Sequence, residues 1–141
     1  MIPAGLLLVD TSAIARAAAP AIAAELSRLG RDGLLATTVT IDLQVLYSAR
    51  NASEYRAIAA RRRLGFVDLP LHPAIATRVR DVQAGLAARG QLRAVGAFDL
   101  LTAAIAEHHA ATVLHYDSDF DHIAAVTGQP MRWVVARGSV D

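Results

Sequence analysis

Four apolar residues, Leu6–Val9, run straight into an aspartate in LLLVDTSAIAR (Leu6–Arg16). A run so short and so uniformly apolar reads as a strand buried on both faces, the mark of a parallel sheet covered by helices. Ending such a strand on a carboxylate is costly unless the charge is paired or binds a metal. Asp10 therefore implies partners elsewhere in the chain.

The remaining sequence alternates between the same two kinds of segment. Strands are expected at Leu34–Thr37, Phe66–Leu69, Thr112–Tyr116 and Arg132–Val135. Between them the pattern predicts a helix opened by Pro20 and stopped at Gly30, one over Val39–Arg50, and one over Asn51–Leu64 capped by Asn51 or Ser53. Further helices are expected over His72–Arg89, Phe98–Ala110 and Phe120–Val126, with Gln91–Ala97 as a loop. This alternation implies an α/β fold, a central parallel sheet of four to five strands with helices on both faces. No linker, repeat or charge block divides residues 1–141, so a single domain is expected.

In such sheets ligands sit at the carboxyl ends of strands. Asp10 follows the first strand there, and Asp117 and Asp119 follow the strand Thr112–Tyr116 in HYDSDFD. Asp99 opens the apolar helix FDLLTAAIAEHHA. Each has a plainer explanation: Asp99 as a first-turn carboxylate favoured by the helix dipole, and Asp117, Asp119 and Asp121 as a solvated turn capping the next helix. Taken together they resemble an oxygen-ligand set for Mg²⁺ or Mn²⁺. With no cysteine in the chain, thiolate zinc sites and disulfides are excluded.

The segments LLLVDTSAIAR, DLQVLYSAR (Asp42–Arg50), AFDLLTAAIAEHHAATVLHYDSDFDHIA (Ala97–Ala124) and TGQPMRWV (Thr127–Val134) together resemble the PIN-domain ribonucleases, specifically VapC-like toxins of bacterial type II toxin–antitoxin modules. The resemblance implies a three-layer PIN-like fold and a Mg²⁺- or Mn²⁺-dependent endoribonuclease silenced by a small VapB-like antitoxin. It further implies Asp10, Asp99 and Asp117 as catalytic metal ligands and Asp119 as a support or replacement. Thr11 and Ser12 match the small polar pair that follows the first aspartate. The family presents helices like Pro20–Leu29 and Val39–Leu64 to a dimer mate or to the antitoxin, so a homodimer is expected.

One position departs from the pattern. The family motif reads L-E-V-x-Y-S-A, and here it is Leu43-Gln44-Val45-Leu46-Tyr47-Ser48-Ala49. Glutamine keeps an oxygen but loses the charge that draws a hard cation out of its water shell. Asp42 does not replace it, because two residues along a helix are about 200° apart. Asp42 instead reads as a first-turn carboxylate. Gln44 thus favours an alternative: a catalytically weakened PIN domain that binds RNA or antitoxin without efficient cleavage. A third reading, independent of the family, is a dimeric α/β interaction protein whose acids only cap helices.

The other polar features carry less. The net charge is +1, with all 14 basic residues arginine, a composition that suits phosphate contacts but also a GC-rich genome. Arg61-Arg62-Arg63 reads as a solvated helix end, and the five histidines, lacking an H-x-x-x-H pair, as structural. Tyr47, Tyr55 and Phe120 are more readily core than base-stacking platforms. No basic leader precedes the first apolar run and no run nears the roughly 18 residues that span a bilayer, so a cytoplasmic location is expected.

Overall fold

The computed structural model describes residues 2–141. Strands β1 (Leu7–Val9), β2 (Leu35–Thr37), β3 (Val67–Asp68), β4 (Thr112–His115) and β5 (Met131–Trp133) form one sheet in the order β3-β2-β1-β4-β5. Every neighbouring pair is parallel. The helices are α1 (Thr11–Ile14), α2 (Pro20–Arg31), α3 (Val39–Leu46), α4 (Ala52–Gly65), α5 (Pro73–Ala88), α6 (Ala97–His108) and α7 (Asp119–Thr127).

The alternation of strand side chains splits β1 between two cores. Leu6 and Leu8 pack with Ile41, Ile75, Leu86, Leu100, Ile105 and Phe120, on the face covered by α3, α5, α6 and α7. Leu7 and Val9 pack with Ile22, Leu29, Leu114 and Val134, on the face covered by α2. A strand buried on both faces has no polar side to spare, which is why Leu6–Val9 contains no polar residue.

Several expected boundaries hold and others move. Asn51 caps α4 by accepting from the Glu54 amide, and His72 caps α5 through Nδ1, which accepts from the Ala74 amide. Helix α2 does not stop at Gly30 but runs through it to Arg31. The turn is made by Gly33, at φ +70°, where a side chain would be strained. Helix α3 ends at Leu46 rather than Arg50, so Ala49 does not share a helical face with Ile41 and Val45.

Two hydroxyl contacts fix α3. Thr38 Oγ1 donates to the Leu69 carbonyl at 2.7 Å, and the buried hydroxyls of Thr40 and Thr102 bond to each other at 2.7 Å, tying α3 to α6. On a helix, residues three and four apart share a face. Thr40 therefore aims Gln44 the same way, and Thr102 does the same for Asp99. The sequence pair that departs from and obeys the motif is thus brought to one side.

The arginine triplet is the clearest correction. Arg62 is not a solvated helix end: it is buried, its Nε donates to Asp42 Oδ1 at 3.0 Å and its Nη2 to Thr37 Oγ1 at 2.9 Å. Its guanidinium lies 4.6 Å from the Phe66 ring centroid. Asp42 faces away from Gln44, as the helical angle requires, but it is an ion-pair partner and not merely a dipole-placed charge. Arg62→Ala strands a partly buried carboxylate and is expected to cost about 2 kcal/mol in urea unfolding, below the value for a fully buried pair because Asp42 still reaches solvent. A loss under about 0.5 kcal/mol would show that water replaces the guanidinium freely.

Candidate active site

In the order β3-β2-β1-β4-β5 the chain direction of sheet growth reverses between β1 and β4, and the carboxyl ends of those two strands frame the crevice where such sheets bind ligands. Val9 is in register with Leu114, and the Asp10 amide donates to the Leu114 carbonyl at 2.9 Å. The ladder thus carries Asp10 out of β1 beside the segment that carries Asp117 out of β4.

Asp10 is almost wholly buried. Its Oδ2 accepts from the Ser12 amide at 2.9 Å, capping α1, while its Oδ1 is buried with no hydrogen-bond partner. A carboxylate oxygen left bare in the interior is expensive unless something else meets it. Ser12 is part of the same framework: its Oγ accepts from the Tyr116 amide at 2.9 Å, which locks the β4 exit against α1.

Across the crevice, Asp99, Asp117 and Asp119 each offer a carboxylate oxygen, and these three oxygens lie within 4.8 Å of one another. Asp117 Oδ1 accepts from the Asp119 amide at 2.9 Å, so of the three turn acids only Asp117 meets an amide at the start of α7, and with one of its oxygens; the N-cap residue is Ser118, whose side chain makes no capping bond. Asp99 sits in the first turn of α6 and makes none of the described side-chain hydrogen bonds, so it does not cap the helix. Asp10 is outside this mutually close trio, yet its charge acts on Asp99 directly.

The electrostatic consequence is large. Burial pushes the Asp99 carboxyl up to about 7, helped by the charges of Asp10, Asp117 and Asp119. Asp119 is raised as well, first by burial and then by Asp117. A helix N-terminus ordinarily favours a carboxylate. Here desolvation and three like charges outweigh it. Hard oxygen donors, one of them buried and bare, suit a hard divalent cation and no soft one.

Gln44 stands on the rim. Thr11 Oγ1 donates to Gln44 Oε1 over a long 3.4 Å, and Gln44 shares a hollow of about 410 Å³ with Gly96, Ala97, Phe98 and Asp99. The position occupied by the motif's glutamate is thus beside Asp99, with an amide in place of the charge.

His115 was expected to be structural and is. It is fully buried between Phe120 and Trp133, and burial lowers its affinity for a proton. Its Nδ1 accepts from the Asp117 amide at 3.1 Å, a positioning contact that nothing in the linear pattern announced. Phe120 is core, whereas Tyr47 is 92% exposed and Tyr55 about half exposed, so those two are not core residues.

Comparison with known proteins adds an independent line. The family model described as "PIN domain" matches residues 7–126. Over 134 residues the chain is 42% identical to Ribonuclease VapC21 of Mycobacterium tuberculosis, which covers 94% of this chain and 96% of that protein. Over 135 residues it is 44% identical to Ribonuclease VapC51 of the same organism, covering 95% and 96% respectively. Among solved structures, VapBC2 from Rickettsia felis bound to a promoter DNA fragment superposes with a TM-score of 0.73 at 13% identity, over 91% of this chain and 98% of that one. DNA-bound VapBC from Salmonella typhimurium gives 0.71 at 16% identity, over 93% and 99%.

Proposed function

The chain belongs to the PIN-domain family, among the VapC ribonucleases, and from that footing we propose that it is a divalent-metal-dependent endoribonuclease acting as the toxin of a toxin–antitoxin pair. The observation that carries the metal-dependent part is the bare, buried Oδ1 of Asp10 beside the Asp99–Asp117–Asp119 cluster. Asp10, Asp99 and Asp117 would hold Mg²⁺ or Mn²⁺. Bound there, the cation would neutralise charge on the scissile phosphate and acidify the attacking water.

The protein's own groups divide the remaining work. Asp117 is a ligand or orients the water, and Asp119, held to it through its own amide, supports it. Ser12 fixes the β4 exit, and Thr11 orients the amide of Gln44. Single-stranded RNA is the substrate class, since an open crevice at a sheet edge admits a splayed strand and not a duplex interior. Antitoxin binding and a homodimer belong to the same proposal. The VapBC complexes among the solved neighbours support the first, and the exposed Leu43 on α3, Tyr47 just after it and Leu64 on α4 offer apolar surface for either. No helix among the described residues is long and apolar enough to cross a membrane.

The direct test is cleavage of a single-stranded oligoribonucleotide with Mn²⁺ or Mg²⁺ and its loss in EDTA. Cleavage unaffected by the chelator would remove the metal from the reading. The catalytically weakened alternative is favoured by Gln44 alone. It predicts RNA binding without turnover at any Mn²⁺ concentration.

A pH prediction follows from Asp99. Its folded pKa, about 7, lies above the ordinary 3.8, so between those values the folded state holds a proton that the unfolded chain releases. Stability in EDTA should therefore fall as pH rises from about 4 to 8. The site is partly open, and after discounting for solvent the loss is on the order of 2 kcal/mol, or roughly 5 °C in Tm. Mn²⁺ competes with that proton, so its stabilisation should be larger at pH 8 than at pH 5.5 in thermal melts. Equal Mn²⁺ shifts at both pH values would mean the ion binds elsewhere.

A further inference from the structure

A second hollow, of about 450 Å³, is lined in part by Asp117 and shares no lining residue with the one beside Gln44. Its lining joins parts of the chain that are far apart in sequence: Ser12 from α1 and Arg16 from the turn after it, Tyr116 after β4, and Trp133, Arg137 and Asp141 from the last segment. Resting on the ribonuclease reading above, we infer that this hollow is a nucleotide subsite, in which Arg16 and Arg137 hold a backbone phosphate and the Trp133 indole stacks an unpaired base of the RNA.

The walls are built. Arg16 Nη1 donates to the Ser12 carbonyl at 3.0 Å and its Nε to the Asp141 main-chain oxygen at 3.1 Å, and its guanidinium lies 5.0 Å from the Tyr116 ring centroid. Tyr116 Oη donates to the Val140 carbonyl at 2.8 Å and accepts from the Val140 amide at 3.1 Å, so the last segment is fastened down as the outer wall. Trp133 packs edge-to-face with Tyr116, 5.3 Å between ring centroids, and at a tilt against buried His115, 4.9 Å away.

Neither charge is held in a short side-chain ion pair. Arg16 is in none of the described ion pairs, and Arg137 reaches Asp121 only at 4.0 Å between two exposed side chains. Arg137 lies over the Trp133 ring, 5.5 Å from its centroid. Two guanidiniums without a close carboxylate side-chain partner and an aromatic face, next to a cluster of carboxylates that would otherwise repel RNA, match the combination by which proteins hold single strands. Arginine supplies the planar fork that fits a phosphate. A pocket of this volume lies in the range for small-molecule ligands. When the phosphate is engaged, Arg137 turns from the indole to the anion and the base takes its place. An acidic peptide would satisfy the arginines but gives the indole no role.

The chain has one tryptophan, so its fluorescence reports this hollow alone. The experiment titrates the wild-type full chain, in EDTA, with a cleavage-resistant 2′-O-methyl single-stranded oligoribonucleotide at several salt concentrations. Saturable quenching of Trp133 is expected. Arg137→Ala, an exposed side chain whose loss leaves the core untouched, should weaken binding by about fivefold to tenfold and lower the log–log salt slope by about 1. Arg16→Gln should lower the slope likewise. RNA binding without quenching, slopes unchanged in both variants, or quenching by an acidic peptide but not by the oligonucleotide would each overturn the subsite. Mn²⁺-dependent cleavage with an unresponsive Trp133 leaves the nuclease standing and removes the subsite. Quenching and the slope change without cleavage at any Mn²⁺ concentration do the reverse.

Discussion

Asp99→Asn should reduce Mn²⁺-dependent RNA cleavage by at least about a hundredfold while making the metal-free protein more stable at pH 8. The kinetic half follows from charge. Asp99 contributes one of the oxygens that lie within 4.8 Å of each other, and an amide keeps the shape but not the anion that a hard cation selects. Outer-shell changes alone cost 10- to 100-fold in comparable sites, so removing a ligand charge should cost at least as much. The stability half follows from the raised pKa, about 7, caused first by burial and then by Asp10, Asp117 and Asp119. At pH 8 the carboxylate is ionised among like charges, and the substitution removes that strain. At pH 5.5 Asp99 is already largely protonated, so the mutant and wild type should melt together. Two measurements decide it: a single-turnover cleavage assay and paired melts in EDTA at the two pH values. A mutant that melts lower at pH 8 would mean Asp99 serves the helix as a first-turn carboxylate after all.

That result would test a residue legible from the sequence, and the reason it was legible is local. Asp10 ends an uninterrupted apolar run, Asp99 starts one, and Asp117 follows one, so each is marked by its own neighbours. Parallel strands then do the rest, since their carboxyl ends face the same edge. What stayed hidden depends on distance. Nothing in Arg61-Arg62-Arg63 tells which arginine turns inward; that is decided by Asp42, twenty residues back, and Thr37, twenty-five residues back. Gly30 reads as a stop because glycine usually ends a helix, yet the left-handed turn falls at Gly33 and the helix simply passes through. The Arg16–Trp133–Arg137 hollow is assembled across more than a hundred residues, with β1, β4 and β5 adjacent only in space. His115 is a further case: a histidine inside a strand looks inert until its Nδ1 is seen to accept from the Asp117 amide.

Gln44 is legible as a departure, and its consequence can be measured. Gln44→Glu should tighten Mn²⁺ binding by about tenfold and raise cleavage by a similar factor when the metal is limiting, because affinity for a hard cation follows the charge of its ligands. The geometry places the new carboxylate well: Thr40, one turn back, is bonded to Thr102, and Gln44 shares its hollow with Asp99. Without metal the same substitution adds a further negative charge beside Asp99, whose carboxyl is already pushed up to about 7 by burial and by three aspartates. The metal-free mutant should therefore melt lower than wild type at pH 8, and part of the loss should vanish at pH 5.5 as the carboxyls protonate. With saturating Mn²⁺ the order should reverse, since an ion that binds only the folded state returns its binding energy as stability. The crossing of the two melting curves is the diagnostic feature, because a charge placed in a merely buried position lowers Tm under both conditions. A mutant that binds Mn²⁺ no better and melts lower with the ion present would show that Gln44 lies off the metal site. A mutant that gains Mn²⁺ affinity but still cleaves no RNA would separate ion binding from chemistry, and would place the weakness of this chain elsewhere than in the missing glutamate.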